Sequence, residues 1–124
     1  MKGVKKISKY RKGRNFEYKV KRELENDGFL VFRCAGSKPV DLIAIRYDWN
    51  LKKHVILIVE CRVHGKISKT EKEKLLNLSK KLRATPILAY WNSNYKKPFA
   101  KNLLLEENKI EGFSNEIEEI EKTI

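Results

Sequence analysis

A short apolar strand that ends on an acidic residue places the strongest constraint on the fold of this chain. The run from Val55 to Val59 contains only aliphatic side chains, a pattern typical of a central strand covered on both faces. Glu60, Cys61 and Arg62 follow directly. Because successive side chains of a strand alternate faces, Glu60 and Arg62 should point the same way and Cys61 the opposite way. Burying Glu60 is costly unless a metal or a cation such as Arg62 accompanies it.

The rest of the hydrophobic pattern predicts one α/β domain with a single core, which suits a chain of 124 residues. Gly28 is a predicted C-terminal helix cap, and Thr70 opens a predicted capping box. In chain order we expect a helix over 14–27, strands over 29–34, 41–46 and 55–62, a helix over 70–83 and a strand over 86–91. The predicted order is αβββαβ, a central mixed sheet flanked by helices.

The charge of the chain favours a polyanionic partner. There are 28 Lys and Arg residues against 16 Asp and Glu residues, a net charge of +12, and phosphate contacts are the main sequence-independent source of nucleic-acid affinity. A lysine-rich surface that serves solubility, or one from a thermophilic source, is the alternative. Residues 1–14 hold seven basic side chains and no acid, and residues 106–121 hold seven acids. The chain therefore divides into a basic arm (1–13), a domain (14–105) and an acidic tail (106–124).

Other classes of protein fit the sequence poorly. Cys34 and Cys61 form no CxxC pair, and His54 and His64 lack the spacing of zinc ligands, so a structural zinc site is not expected. The amino end lacks the apolar segment of a signal peptide. No apolar run approaches the roughly 20 residues that span a bilayer. We expect a soluble intracellular protein with no membrane association.

Three carboxylates are candidates for a metal site. Asp41 begins the strand next to the one that ends at Glu60, and Glu17 lies at the edge of the apolar stripe of the first helix. Three carboxylates from three elements can hold a hard divalent cation, usually Mg²⁺. Such an ion polarises a phosphodiester and activates a water molecule. The alternative is that Glu60 and Arg62 form only a structural ion pair.

A series of short motifs runs from Tyr10 to Trp91. They are Arg11-Lys12-Gly13, Phe16-Glu17, Asp27-Gly28-Phe29, the continuous run from Phe32 to Leu42, and Val59-Glu60-Cys61-Arg62. The series resembles the archaeal Holliday-junction resolvases of the PD-(D/E)xK nuclease superfamily. The resemblance implies a restriction-endonuclease-like fold and a homodimer that binds four-way DNA junctions. It also implies paired nicking of two opposed strands with Mg²⁺, for which Mn²⁺ can substitute.

The resemblance also implies roles for individual residues. It makes Glu17, Asp41, Glu60 and the backbone carbonyl of Cys61 the metal ligands. Ser37 is a loop serine beside the site, and Arg62 takes the position of the catalytic cation. Leu78 and Leu82 match positions that lie partly at the dimer interface, although ordinary core packing is the alternative. The residues expected to contact DNA are Lys9, Arg11, Lys12, Arg14, Arg33, Lys38, Lys66 and Lys69.

Two positions depart from the pattern of the family. Arg62 stands where the family has a catalytic lysine, and Tyr18 stands where it has an arginine after the helix glutamate. An arginine cannot deprotonate at working pH, but its planar fork can stabilise charge on a phosphate. Lys66 or Lys38 could supply an ammonium group from a loop instead.

The departures leave three functions to consider. The first is an active junction-resolving endonuclease, in a cytoplasmic, nucleoid-associated setting of an archaeal cell or archaeal virus, with recombination or replication proteins as possible partners. The second is a junction-binding protein with the same fold and impaired catalysis. The third is a related nuclease that acts on another branched or duplex DNA.

Overall fold

Within the part of the chain that the structure describes, five strands form one mixed sheet with a helix against each face. The structure is a computed structural model that describes residues 9–34, 36 and 39–105, with the backbone alone for residues 9–11. The elements are α1 (Lys9–Asn26), β1 (Leu30–Arg33), β2 (Leu42–Asp48), β3 (Lys53–Cys61), α2 (Lys69–Leu82), β4 (Thr85–Asn92) and β5 (Lys97–Asn102). The predicted α/β class and central mixed sheet are confirmed.

Helix α1 packs through a stripe of apolar residues at four-residue spacing. Phe16, Val20 and Leu24 are all buried, as expected for the core-facing side of an amphipathic helix. Gly28 follows with a φ of 91°, a left-handed conformation that glycine adopts at helix ends without a steric penalty. The predicted start at Arg14 is wrong, because α1 begins at Lys9. Lysine and arginine are good helix formers, so the helix extends beyond its apolar stripe.

The sheet places β3 at its centre. Its strand order is β1-β2-β3-β4-β5, and β1, β2 and β3 are joined by antiparallel pairing. Strand β4 lies parallel to β3, and α2 forms the crossover that a parallel connection requires. The prediction of a central, covered strand from the Val55–Val59 run is therefore confirmed.

The alternation of side chains along β3 distributes them between two hydrophobic clusters. Leu57 and Val59 belong to the cluster that includes the apolar stripe of α1. Ile58 belongs to the second cluster, which includes Leu75 of α2. Cys61 continues the first set and packs against the α1 side. Glu60 and Arg62 therefore belong to the α2 side of the strand, in agreement with the predicted alternation.

Two features of the second half of the chain differ from the sequence prediction. The N-cap of α2 is Ser68 rather than Thr70: its side chain accepts from the backbone of Glu71, and the Glu71 side chain accepts from the backbone of Ser68. Strand β5 was not predicted, so the observed order is αβββαββ. Its Pro98 weakens the strand pattern, but proline is tolerated at a sheet edge, and the adjacent Phe99 is buried. The predicted acidic tail over 106–124 lies outside the described residues.

Candidate active site

The ends of β2 and β3 bring two buried carboxylates together. Leu42 pairs with Val59 across the two antiparallel strands. Asp41 precedes Leu42 and Glu60 follows Val59, so the two acids come next to each other at the same end of the sheet. The backbone N–H of Asp41 donates to Oε1 of Glu60 at 3.1 Å. The backbone N–H of Cys61 donates to Oδ2 of Asp41 at 2.9 Å. Asp41 and Glu60 are only 4% and 6% exposed, and the prediction that they lie side by side is confirmed.

Arg62 supplies a positive charge to these carboxylates. Its Nη1 lies 3.3 Å from Oδ2 of Asp41 and donates to the carbonyl oxygen of Cys61 at 3.0 Å. Its Nη2 lies 2.9 Å from Oε2 of Glu60. Burial lowers the pKa of Arg62, but the Glu71 hydrogen bond and the charges of Glu60, Asp41 and Glu71 outweigh burial and raise it. The ion pair weighed as an alternative from sequence is present, and it includes Asp41 as well.

Backbone pairing fixes the position of these side chains. Val40 is fully buried in the α2-side cluster and anchors the segment before Asp41. The N–H of Cys34 donates to the carbonyl of Asp41 at 2.9 Å, which closes the loop between β1 and β2. The N–H of Arg62 donates to the carbonyl of Ala89 at 2.9 Å and continues the pairing of β3 with β4 past Cys61. The site therefore stands on the ordered ends of the sheet rather than on a loop tip.

Glu71 is a residue of the site that the sequence did not reveal. Its Oε2 accepts from Nη2 of Arg62 at 2.5 Å, and its Oε1 accepts from the backbone N–H of Ser68 at 3.3 Å. The Arg62 hydrogen bond, followed by those from Ser68, lowers the pKa of Glu71 to about 2. The capping box was the available signal, but the prediction took Glu71 as part of a box opened by Thr70. Nothing in the sequence linked it to Arg62.

Glu17 of α1 pairs with a basic residue of β1. Its Oε1 lies 2.9 Å from Nε of Arg33, and the Arg33 guanidinium lies over the ring of Tyr18, 5.2 Å from the centroid. The ring of Tyr18 therefore packs against the Arg33 guanidinium, and Arg33 in turn forms the ion pair with Glu17 of α1. Among the described residues, no group of three or more His, Cys, Asp or Glu side chains is arranged to hold a metal ion. The three-carboxylate site stays a prediction.

Arg62 lines two clefts near the end of β3. A cleft of about 560 Å³ lies along α2, where Glu60, Arg62 and Glu71 share its lining with Lys74 and Lys81. A second cleft, of about 390 Å³, lies beside α1 and is lined by Lys12, Phe16, Cys61, Arg62 and His64 among others. Basic side chains therefore border the site on both sides, which suits an anionic ligand.

The remaining predicted residues are scattered around this end of the molecule or fall outside the described part. Lys12, Lys66 and Lys69 are exposed, and Arg14 and Arg33 are half-buried. Leu78 packs against the α2-side cluster, whereas Leu82 is 46% exposed. Ser37 and Lys38, and the side chains of Lys9 and Arg11, lie outside the described residues. Over the described residues, no helix is long and apolar enough to cross a membrane.

The chain is similar to archaeal junction-resolving proteins in sequence and in fold. It is 47% identical over 85 residues to the crossover junction endodeoxyribonuclease Hjc of Methanocaldococcus jannaschii, a match that covers 65% of this chain and 59% of that protein. The solved structure of Archaeoglobus fulgidus Hjc, a Holliday junction resolvase, matches with a TM-score of 0.59 at 22% identity, over 80% of this chain and 81% of that one. At that identity, the structural match supports the fold alone.

The sequence pattern of a protein family gives the broadest match. The family described as archaeal Holliday junction resolvase (Hjc) matches residues 8–124. This range contains Asp41, Glu60 and Arg62 together with every described helix and strand. The matched range therefore includes the whole candidate site. On this match, the chain belongs to the archaeal Holliday junction resolvase family.

Proposed function

We propose that the chain is an endonuclease that binds four-way DNA junctions and resolves them by metal-dependent paired nicking. The observation that carries the proposal is the placement of Asp41 and Glu60 at adjacent strand ends with Arg62 between them and the α2 helix, in a chain of the junction-resolvase family. Two carboxylates and a cation at the end of a buried sheet suit phosphodiester chemistry, because they can hold a metal and stabilise a phosphate at one place.

The metal of the proposal is Mg²⁺, with Mn²⁺ as a substitute. A nuclease of the Hjc type uses a divalent metal in general. Here Oδ2 of Asp41, Oε2 of Glu60 and the carbonyl oxygen of Cys61 converge on one positive group, the Arg62 guanidinium. Oxygen donors of this kind are those that Mg²⁺ prefers, so the residues present fit a divalent cation. A metal bound there supplies a water of lowered pKa.

The other residues of the site act on the DNA in this proposal. Arg62 is always protonated, so it contributes charge and hydrogen bonds to a phosphate rather than acting as a base. Glu17 is proposed as the third metal ligand, as the resemblance implies, and it also pairs with Arg33. Ser37 is proposed beside the scissile phosphate. The predicted DNA contacts are Lys9, Arg11, Lys12, Arg14, Arg33, Lys38, Lys66 and Lys69, and the net charge of +12 supports them.

The biological setting follows from the substrate. A four-way junction has two strands to be nicked, which a homodimer with one site per protomer can reach. A DNA junction substrate, in a family described as archaeal, supports a location at the nucleoid of an archaeal cell, or in a cell infected by an archaeal virus. Proteins of recombination or replication are the proposed partners.

A junction-binding protein without catalysis is the second candidate. The observation that favours it is that the Arg62 guanidinium contacts the same oxygen atoms that would bind the metal. Because an arginine fork is bulkier than an ammonium, it could also displace the attacking water by about an ångström, which can cost about 100-fold in rate. No contact in the described part of the chain specifically favours a nuclease acting on other DNA.

A cleavage assay tests the proposal. The chain is incubated with a labelled four-way junction with EDTA, Mg²⁺ or Mn²⁺, and the products are mapped on both strand pairs. We expect symmetric paired nicks that require metal, and Glu60→Ala should abolish the nicks while junction binding is retained. The matched control is Glu73→Ala, an exposed acid on α2, which should cleave normally.

The outcomes separate the candidate functions. Tight junction binding without nicks in either metal would establish the binding protein and overturn the nuclease. Equal cleavage of a linear duplex and the junction would indicate the third function. Cleavage that survives Glu60→Ala would show that the site lies elsewhere.

A further inference from the structure

The Arg62 guanidinium contacts one oxygen of each group that the proposed site offers to a metal at the ends of β2 and β3. Nη1 contacts Oδ2 of Asp41 and the carbonyl oxygen of Cys61, and Nη2 contacts Oε2 of Glu60, at distances from 2.9 to 3.3 Å. A Mg²⁺ ion binds its oxygen ligands at about 2.1 Å. A guanidinium that holds the same oxygens would overlap such an ion and repel it. A metal and the guanidinium would therefore compete for these three oxygen atoms.

Glu71 is a further partner of Arg62 and contacts the same nitrogen as Glu60. Oε2 of Glu71 accepts from Nη2 at 2.5 Å. Glu71 is held in place by the capping box of α2, in which its other oxygen accepts from the backbone of Ser68. The cleft of about 560 Å³ is lined by Arg62 and Glu71 together, so the guanidinium has room to turn outward without moving the helix.

We propose that Arg62 and the metal exchange at Asp41 and Glu60, and that Glu71 is the positioning residue that holds Arg62 when the metal is bound. This inference rests on the proposed metal site. In the arrangement observed, the guanidinium bridges the strand ends and α2. On metal binding the guanidinium would lose its contacts with Asp41, Glu60 and the Cys61 carbonyl and would retain its hydrogen bond with Glu71. The exchange leaves the arginine at the edge of the cleft, where it can meet a phosphate.

Metal affinity measured without DNA tests the exchange. Isothermal titration of the full chain with Mn²⁺ gives the Kd of the wild type and each variant. If the guanidinium occupies the ligands about nine-tenths of the time, Arg62→Ala should tighten Mn²⁺ binding about tenfold. Arg62→Met keeps an unbranched apolar stem without the guanidinium and serves as a second variant if the alanine does not fold. Glu71→Gln should weaken binding about fivefold, because Glu71 shares Arg62 with Asp41 and Glu60 before the exchange but is the one carboxylate of the three left to it afterwards, so its loss costs the metal-bound state more.

Two controls separate a role through Arg62 from a direct charge effect. The Glu71→Gln variant keeps an acceptor for the N–H of Ser68, because glutamine also completes a capping box, and Glu73→Gln makes the same charge change elsewhere on α2. Glu73→Gln should change the Kd by less than about twofold. If Glu71 acts through Arg62, Glu71→Gln should have no further effect in the Arg62→Ala background. If it acts directly on the metal, the weakening persists there.

The results identify which proposal fails. If Mn²⁺ binds the wild type and Asp41→Asn abolishes binding, the proposed metal site stands. Weaker Mn²⁺ binding by both Arg62→Ala and Arg62→Met would then overturn the exchange alone. So would a Glu71→Gln effect equal to that of Glu73→Gln, or one that persists without Arg62. If neither the wild type nor the Arg62 variants bind Mn²⁺, the metal site and the exchange are both overturned.

Discussion

Removal of Arg62 should destabilise the metal-free protein. The guanidinium lies 2.9 Å from Glu60 and 3.3 Å from Asp41, and both acidic side chains are less than a tenth exposed. At an effective dielectric constant of about 20, each contact is worth about 5 kcal/mol before its costs. Desolvation of the guanidinium and loss of its side-chain freedom together cancel about 7 kcal/mol of that sum. The expected net loss for Arg62→Ala is about 3 kcal/mol.

Urea unfolding measures this loss. The midpoints for wild type and Arg62→Ala are compared at pH 7 in EDTA, with unfolding followed by circular dichroism and a check that the m-value is unchanged. Lys72→Ala removes an exposed cation from α2 and should change stability by less than about 0.5 kcal/mol. A similarly small effect for Arg62→Ala would refute the argument, because it would mean that water screens Asp41 and Glu60 well.

The same reasoning predicts that a second substitution can restore part of the stability lost in Arg62→Ala. Without Arg62, Asp41 and Glu60 repel each other at the buried strand ends, so neutralising one of them should help. Glu60→Gln in the Arg62→Ala background should recover about 1–2 kcal/mol. The amide can still accept the backbone N–H of Asp41, a bond now made by Oε1 of Glu60. Additive losses from the two changes would contradict a shared electrostatic origin.

Two further outcomes follow from the environment of Arg62. Arg62→Lys should preserve single-turnover junction cleavage or raise it by up to about 100-fold, whereas a fall of more than about tenfold would show that the site is adapted to arginine. Wild type should be more stable than Glu71→Gln by less than about 1 kcal/mol at pH 7, after allowance for solvent screening. Because the pKa of Glu71 is lowered to about 2, this difference should hold above about pH 4.5 and vanish as pH falls through about 2, by urea midpoints.

The features that the sequence predicted correctly depend on local periodicity. Alternation along a strand predicted that Glu60 and Arg62 lie on one side of the sheet and Cys61 on the other. The uninterrupted apolar run of residues 55–59 predicted that β3 is central and covered on both faces. The proximity of Asp41 and Glu60 followed because their strands are neighbours in sequence and in the sheet. Helix α1 was recognised from Phe16, Val20 and Leu24, but its start was misplaced because lysine and arginine carry no apolar periodicity.

The features that were missed depend on tertiary distances. Glu71 follows Arg62 by nine residues through a loop, and only the packing of α2 against the sheet brings the two together. Glu17 has several basic residues nearby in sequence, and the fold pairs it with Arg33, sixteen residues away. Strand β5 was overlooked because Pro98 and flanking lysines resemble a loop, although pairing with β4 buries Phe99 and Ala100.

An arginine at residue 62, where the family resemblance implies a catalytic lysine, affects both the stability of the site and its affinity for metal. A lysine is a compact charge that can approach one carboxylate or one water closely, whereas an arginine fork can bridge several acceptors at once. Arg62 does so here, since its two terminal nitrogens contact Asp41, Glu60, Glu71 and the carbonyl of Cys61. The fork stabilises a metal-free sheet end that would otherwise carry close negative charges. A substitution of Arg62 that lowers the stability of the protein without metal should therefore raise its affinity for metal.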